Sequence, residues 1–186
     1  MVILIAGTSC VGKTFMAQKL LEKYKIPYFS IDHLKMGIYR SNNNCGFTPE
    51  SKDEIITEKL WPILKEIIKT NIENKQNMVI EGCYLPDSIK DMEKEYLEKI
   101  VMFCIGFSEQ YIRLNLSTEI YDKRSIIENR ENDFIEDMDK YISENVKRKQ
   151  KCRKNRIKYF EINKDYEKEM AGVYQWIENE IHKIKE

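Results

Sequence analysis

Residues 7 to 14 constrain the fold of this chain more than any other stretch, because they match the pattern G-x-x-x-x-G-K-[ST]. The apolar run 2–6 precedes them and predicts a buried strand, and a helical pattern continues from 12 to 24. A strand, a glycine-bearing loop and a helix start are the context in which this pattern binds phosphate. The sequence therefore predicts a nucleotide site formed by Gly7, Thr8, Ser9, Cys10, Val11, Gly12, Lys13 and Thr14.

The residue types in the motif explain how it would bind phosphate. Gly7 and Gly12 allow backbone conformations that a side chain would forbid, so the N–H groups of the loop can turn toward a phosphate. The helix that begins near Gly12 adds unpaired N–H groups and the positive end of its dipole. We expect Lys13 to contact the outer phosphates and the Thr14 hydroxyl to ligate Mg²⁺.

Composition favours a single domain of ordinary size. The chain has 186 residues, and its 31 Lys and Arg balance its 31 Asp and Glu. A formal net charge of zero does not favour bulk electrostatic binding to nucleic acid or membranes. No apolar run approaches the length of a membrane span, and no signal peptide is evident. The five cysteines contain no C-x-x-C pair, so we expect reduced thiols in a cytoplasmic protein without a disulfide framework or a zinc site.

Strands and helices alternate along the chain. Strands are predicted at 2–6, 27–31, 78–80, 100–107 and 157–162. Helices are predicted at 12–24, 32–40, 48–72 with a break or kink at Pro62, 86–97, from 108, 141–154 and from 170 to the end. This alternation predicts an α/β fold with a parallel sheet and helices on both faces. The stretches 33–62 and 117–140 resemble insertions over the carboxyl ends of the strands, where ligands bind in such sheets.

Two acidic residues follow predicted strands and are candidates for chemistry. Glu81 could hold the water shell of a magnesium ion or orient a nucleophile, and Gly82 after it would leave space for a ligand. The alternative is an ordinary acid at a strand end. Asp32 could accept a proton from an acceptor hydroxyl or hold metal. It could equally be the N-cap of the next helix.

Cations would have to meet the negative charge that develops during phosphoryl transfer. Arg113, Arg124 and Arg130 are the preferred candidates, because a mobile lid could bring them to the phosphates and exclude water. The later arginines, from 148 to 156, are expected to be mostly solvated. Lys35 and Arg40 are weaker candidates for holding an anionic acceptor. His33 is a further acceptor candidate, although a lone histidine is more often structural.

With these residues in view, the chain resembles the P-loop small-molecule and nucleoside monophosphate kinases. It is similar to the adenylate kinase group, and more closely to short proteins like 2-phosphoglycerate kinase. The residues that carry the resemblance are 7–14, 30–35, 79–86 and 130–133. The resemblance implies a five-stranded parallel core, an acceptor-binding insertion at 33–62 and a lid at 117–140 within one domain. It also implies ATP and Mg²⁺ as co-substrates, with Asn163 and Lys164 beside the adenine.

Two departures from the family pattern bear on the acceptor. The segment after the second strand has Lys35 where the family has arginine. The segment that begins with Glu81 and Gly82 lacks the arginine that grips a nucleotide phosphate in adenylate kinases. This second departure counts against a true adenylate kinase.

The sequence thus predicts an ATP- and Mg²⁺-dependent kinase that transfers the γ-phosphoryl group to a small acceptor. Lys13 would hold the phosphates, Thr14 would bind the metal with Asp32 or Glu81 around it, and Asp32 would face the acceptor. Two alternatives stay open. One is a regulatory ATPase or switch without a small acceptor. The other is a kinase that acts on nucleic-acid ends or nucleotide sugars, which the basic stretch 147–154 would suit. The acceptor and the oligomeric state are not specified.

Overall fold

A computed structural model describes residues 1–127, 129 and 137–185. Its centre is a sheet of five parallel strands in the order β2-β3-β1-β4-β5. The central strand β1 is buried along its whole length, which explains its continuous apolar sequence. The strands are β1 (Val2–Gly7), β2 (Tyr28–Ser30), β3 (Met78–Gly82), β4 (Ile100–Phe107) and β5 (Lys158–Ile162).

Helices cover both faces of this sheet. Side chains of β1 alternate between two hydrophobic clusters, with Ile3 and Ile5 in one and Val2 and Leu4 in the other. The described helices are α1 (Lys13–Tyr24), α2 (Ile31–Ser41), α3 (Asp53–Glu73), α4 (Lys94–Leu97), α5 (Glu109–Asn115), α6 (Met138–Asn155) and α7 (Tyr166–Lys185), and a π-helical segment Leu116–Tyr121 follows α5. The predicted three-layer α/β fold with a five-stranded parallel sheet is confirmed.

The helix predicted from residue 48 begins later and is not interrupted. Residues 48–51 form a turn instead, in which Ser51 N donates to Thr48 O at 3.1 Å and Thr48 N donates to Ser51 Oγ at 2.9 Å. α3 then starts at Asp53 and continues through Pro62. Pro62 lies on the exposed face of the helix. Water there can donate to the backbone carbonyl four residues earlier, which lacks its helical N–H donor because proline has none. The predicted break at Pro62 is therefore wrong.

Two further boundaries differ from the predictions. Ile31 belongs to α2 and not to β2, so the N-cap position is Ser30, and Asp32 lies inside the first turn. The helix predicted over 86–97 is reduced to the single turn of α4. In the part of this segment before α4, Ser88 Oγ accepts from Lys90 N at 3.3 Å, and Asp91 accepts from Trp61 Nε1 at 3.0 Å. These turn and tertiary contacts replace the helix there.

The sheet order brings two loops together at the carboxyl edge. β1 and β3 are neighbours, with Ile5 opposite Glu81 and Ala6 opposite Gly82. β3 also separates β1 from β2, so residues after β2 reach the first loop across the end of β3. Within the described ranges, no helix is both long and apolar enough to cross a membrane.

Candidate active site

The loop between β1 and α1 has the backbone that its glycines predict. Gly12 has φ 87°, a left-handed conformation that favours glycine, and a Cβ atom there would collide with the Tyr166 hydroxyl. A Cβ atom on Gly7 would lie 2.5 Å from the carbonyl oxygen of Ile105 on the neighbouring strand. Both positions therefore exclude a side chain, and they shape the loop as a concave cradle at the start of α1.

Lys13 lies over this cradle and is almost completely buried, with 5% of its surface exposed. Its ammonium group donates to Thr8 O at 2.7 Å and lies 3.3 Å from Cys83 Sγ. The first contact holds the lysine over its own loop. The second places it against the segment that follows β3. The Lys13 ammonium group thus lies where the loop after β1 meets the segment after β3.

Thr14 and Glu81 form the polar pair at the bottom of the cradle. The Thr14 hydroxyl donates to Glu81 Oε1 at 3.2 Å, and Glu81 is 1% exposed. Among the described residues, no three His, Cys, Asp or Glu side chains are grouped so that they could hold a metal by themselves. Mg²⁺ beside a nucleotide needs only one or two protein groups, because phosphates and waters complete its octahedron. The Thr14–Glu81 pair fits that role, with Asp32 on the neighbouring segment.

Helix α6 supports the loop from behind through two buried side chains that the sequence did not single out. The Tyr141 hydroxyl donates to Ser9 O at 2.6 Å. Asn145 Oδ1 accepts from the Thr8 hydroxyl and from Phe107 N, both at 3.0 Å. Burial raises the pKa of Tyr141, so it stays a donor. Asn145 lies four residues after Tyr141, on the same buried face of α6. A polar residue at that spacing was the sequence signal that could have identified both side chains.

A cleft opens on the other side of the loop. It is lined by Gly12, Lys13 and Thr14, and opposite them by the segment 123–127. In that segment Arg124 packs over the Tyr121 ring at 4.7 Å, and its Nη1 donates to Tyr121 O at 2.6 Å. The structure therefore brings Arg124 into the same cleft as the loop. Arg130, the other candidate from this stretch, lies outside the described residues, as do 130–133 of the family resemblance.

On the third side, α2 contributes an ion pair. Lys35 Nζ lies 3.1 Å from Asp32 Oδ1 and donates to the Tyr84 hydroxyl at 2.8 Å. Burial alone would lower the pKa of Lys35, but the hydrogen bond with Tyr84 and the charge of Asp32 raise it above the usual lysine value. Burial raises the pKa of Tyr84 to about 12, although Lys35 opposes this. Lys35 thus stays charged and fixes the Asp32 carboxylate.

Several other candidates lie elsewhere. His33 and Arg40 are exposed on α2. The Arg113 guanidinium pairs with Glu109 at 2.9 Å and with Asp139 at 3.0 Å. Asn163 N and Lys164 N donate to the two Glu169 oxygens at 2.9 and 2.8 Å, which fixes the loop after β5.

The space beside Gly82 is filled by Ile31, whose Cβ would lie 2.9 Å from an added Cβ. The expectation that Gly82 leaves space for a ligand is therefore wrong.

The basic stretch of α6 is solvated only in part. Lys147, Arg153 and Lys154 are exposed as expected, whereas the cations between them are partly buried. Arg148 is partly buried and donates to Cys83 O at 3.1 Å. Lys149 pairs with Glu161 at 2.6 Å, and Lys151 pairs with Asp87 at 3.1 Å. These acidic partners neutralise much of the stretch, which weakens the case for a nucleic-acid surface there. Arg148 instead reaches the segment beside Lys13.

No protein-family model and no curated protein matches the chain. Solved structures do resemble it. A shikimate kinase from Bacteroides thetaiotaomicron has a TM-score of 0.55 and 14% identity, covering 96% of this chain and 98% of its own. A gluconokinase from Sinorhizobium meliloti 1021 has a TM-score of 0.50 and 15% identity, covering 98% and 96%. At these identities the likeness concerns the fold, which is that of P-loop NTPases.

Proposed function

We propose that this protein is an ATP- and Mg²⁺-dependent phosphotransferase that moves the γ-phosphoryl group to a small-molecule acceptor. The observation that carries the proposal is the position of Lys13. Its ammonium group touches Thr8 of the phosphate-binding loop and Cys83 of the segment after β3. The same charge can therefore serve a phosphate in the loop and a group bound beside Cys83, which is the arrangement that group transfer requires.

Each residue has a proposed part in the transfer. The loop N–H groups and Lys13 hold the phosphates. Thr14 and Glu81, with Asp32, would hold the magnesium ion, which when bound neutralises charge on the phosphate oxygens. Asp32, fixed by Lys35, accepts the proton of the acceptor hydroxyl. Arg124 meets the developing negative charge from the other side of the cleft.

The remaining assignments come from the residue pattern and from the family resemblance, and they are proposals of the same kind. Arg113 and Arg130 would act with Arg124 when the stretch 117–140 closes as a lid. Asn163 and Lys164 would neighbour the adenine. His33 and Arg40 belong to the acceptor side. The stretch 33–62 would bind the acceptor.

The test is ATP turnover by the full chain with Mg²⁺ and a panel of metabolites, comparing Lys13→Ala with Lys19→Ala. Lys19 lies on the same helix with its side chain 47% exposed. We expect Lys13→Ala to lose transfer by about 10²–10³-fold, because a positioned charge is removed from the transition state. Lys19→Ala should retain it. Unchanged ATP binding and transfer in Lys13→Ala would make the proposal wrong. Lys13-dependent hydrolysis with no acceptor in any panel would favour the regulatory ATPase.

A further inference from the structure

The acceptor side of the site contains a charged network that joins three separate segments. Arg148 of α6 donates to Cys83 O at 3.1 Å and pairs with Asp87 at 3.5 Å, both on the segment after β3. It also lies 3.9 Å from Asp53, the first residue of α3. The Arg148 side chain is only 14% exposed, whereas that of Asp53 is 55% exposed. The guanidinium is thus mostly covered, whereas the Asp53 carboxylate is open to solvent.

This network borders the site of transfer. Cys83 connects the two cations, because its sulfur lies 3.3 Å from Lys13 Nζ and its carbonyl oxygen accepts from Arg148. Burial and the charge of Glu54 raise the pKa of the Asp53 carboxyl above its usual value, although Arg148, Lys35 and Lys13 oppose this shift. A molecule that contacts Asp53 and Arg148 would therefore lie near a phosphoryl group held by Lys13.

The charges of this region are already matched within the protein. Lys35 is paired with Asp32, and Arg148 is paired with Asp53 and Asp87. An anionic acceptor would have to displace a carboxylate and leave it next to a like charge, which is costly in a partly desolvated site. Hydroxyl groups can donate to the carboxylates and accept from the guanidinium while these pairs stay intact. The arrangement therefore favours hydroxyl groups over phosphate or carboxylate groups.

We propose that Asp53, Arg148 and Lys35 form a subsite for a hydroxyl-rich acceptor without negative charge, such as a sugar, an amino sugar or a nucleoside. This inference rests on the proposed phosphotransferase function. An acceptor hydroxyl oxygen forms a bond to the γ-phosphorus, the bond from that phosphorus to the β–γ bridging oxygen breaks, and ADP leaves. The hydroxyl proton passes to the Asp32 carboxylate.

Matched pairs of molecules test the charge preference. The full chain with ATP and Mg²⁺ is given glucose, glucosamine, gluconate and glucose 6-phosphate, and adenosine and cytidine with their 5′-monophosphates. Transfer is followed by phosphorus NMR, and binding by ligand-observed NMR with a non-hydrolysable ATP analogue. We expect at least one uncharged or cationic member to be preferred over its anionic counterpart by about tenfold or more in kcat/KM.

The outcomes separate this inference from the proposed function. Preference for the anionic members would overturn the subsite and leave the kinase standing. Failure of every member to bind in the millimolar range would also overturn it. Binding of an uncharged member that depends on Asp53, without any phosphoryl transfer, would support the subsite while overturning the kinase.

Substitutions connect the preference to these residues. Arg148→Gln and Asp53→Asn should raise KM for the uncharged acceptor about tenfold with KM for ATP unchanged. The matched controls are Arg153→Gln, exposed on the same helix, and Asp91→Asn, a 48% exposed ion-pair partner of Lys65. Asp53→Lys should shift the preference toward the anionic members, which a merely structural role would not do. Because Asp53 is exposed, this last test holds even if Arg148→Gln fails to fold, and an unchanged preference would overturn the proposal.

Discussion

Gly12 shows how the phosphate-binding loop depends on a residue outside its own pattern. Its φ of 87° already favours glycine, and the Tyr166 hydroxyl at the start of α7 occupies the place of a side chain. That hydroxyl also lies 3.5 Å from Val11 O, to which it donates. The end of the chain therefore packs directly against the loop at its beginning. The sequence motif predicts a glycine at position 12, but only the folded structure shows that Tyr166 packs against it.

We predict that Gly12→Ala destabilises the protein by about 1–3 kcal/mol and weakens ATP binding, because it adds both backbone strain and a collision. Urea unfolding and ATP titration measure the two effects. The double variant Gly12→Ala/Tyr166→Phe removes the hydroxyl but not the strain, so it should recover part of the stability. If Gly12→Ala alone is as stable as the wild type, the packing described for Tyr166 is wrong.

Glu81 supports a second prediction, which concerns metal dependence. Glu81→Gln keeps an oxygen that can accept from Thr14 but removes the buried negative charge. We expect the Mg²⁺ concentration for half-maximal activity to rise about tenfold, whereas ATP binding without Mg²⁺ is retained. Kinetics over a Mg²⁺ series measure this. Glu98→Gln, at an exposed ion pair with Lys94, is the control. An unchanged Mg²⁺ dependence would remove Glu81 from the metal site.

At the scale of elements, α6 connects the parts of the site. Tyr141 and Asn145 hold the phosphate-binding loop, and Arg148, one turn further, reaches the acceptor side. The helix also begins at Met138, within the stretch 117–140 that is predicted to be a lid. A displacement of α6 would therefore affect the loop and the acceptor residues together. α6 therefore fixes the position of the phosphate-binding loop relative to the acceptor side.

We predict that Asn145→Ala weakens ATP binding and lowers stability by about 1–3 kcal/mol, because the buried Thr8 hydroxyl and Phe107 N–H lose their acceptor. Asn155→Ala is a close control. Both amides donate to the carbonyl four residues earlier, Tyr141 O for Asn145 and Lys151 O for Asn155, but Asn155 lies at the far end of α6. Urea unfolding and ATP titration distinguish them. Equal effects would mean that the contact with the loop contributes nothing.

The helices show where local signals decide a boundary and where they do not. Serine is a favoured N-cap residue, and the Ser108 hydroxyl does cap α5 by accepting from Tyr111 N at 3.1 Å. Thr48 carries an equally good cap signal, yet its segment forms a turn. Pro62 was expected to interrupt a helix whose buried positions Ile56, Leu60 and Leu64 continue at helical spacing on both sides of it. Packing of that apolar face outweighs one lost hydrogen bond.

At the scale of the whole molecule, the sequence could predict what lies close along the chain. The loop pattern, the buried strands and Glu81 at a strand end were all accessible. The order β2-β3-β1-β4-β5 was not, because nothing local indicates that β3 separates β1 from β2. Arg148 was missed for the same reason. Its partners Asp53 and Asp87 lie far away in sequence, and without them an arginine in a basic run indicates solvent.

The tyrosines give a prediction for the whole fold. Burial raises the pKa of Tyr84, Tyr111 and Tyr174 to about 12, and that of Tyr141 and Tyr166 still further. The unfolded chain loses these protons near the ordinary value of 10, so it is favoured once the pH exceeds that value. Stability should therefore be constant near neutral pH and decline steadily between about pH 10 and pH 12. Urea unfolding at a series of pH values measures the decline, and the tyrosinate absorbance of these five tyrosines should appear together with unfolding.

Tyr174 isolates this effect in a single residue. Its hydroxyl oxygen is buried without a hydrogen-bond partner among the residues that the structure describes. Tyr174→Phe removes that oxygen, so at neutral pH it should be neutral or stabilising by up to about 1 kcal/mol. It also removes one of the raised pKa values, so its stability should fall less steeply above pH 10 than that of the wild type. A loss of stability at neutral pH would contradict the absence of a hydrogen-bond partner. Retention of the full alkaline slope would show that the ionisation of Tyr174 does not contribute to the decline.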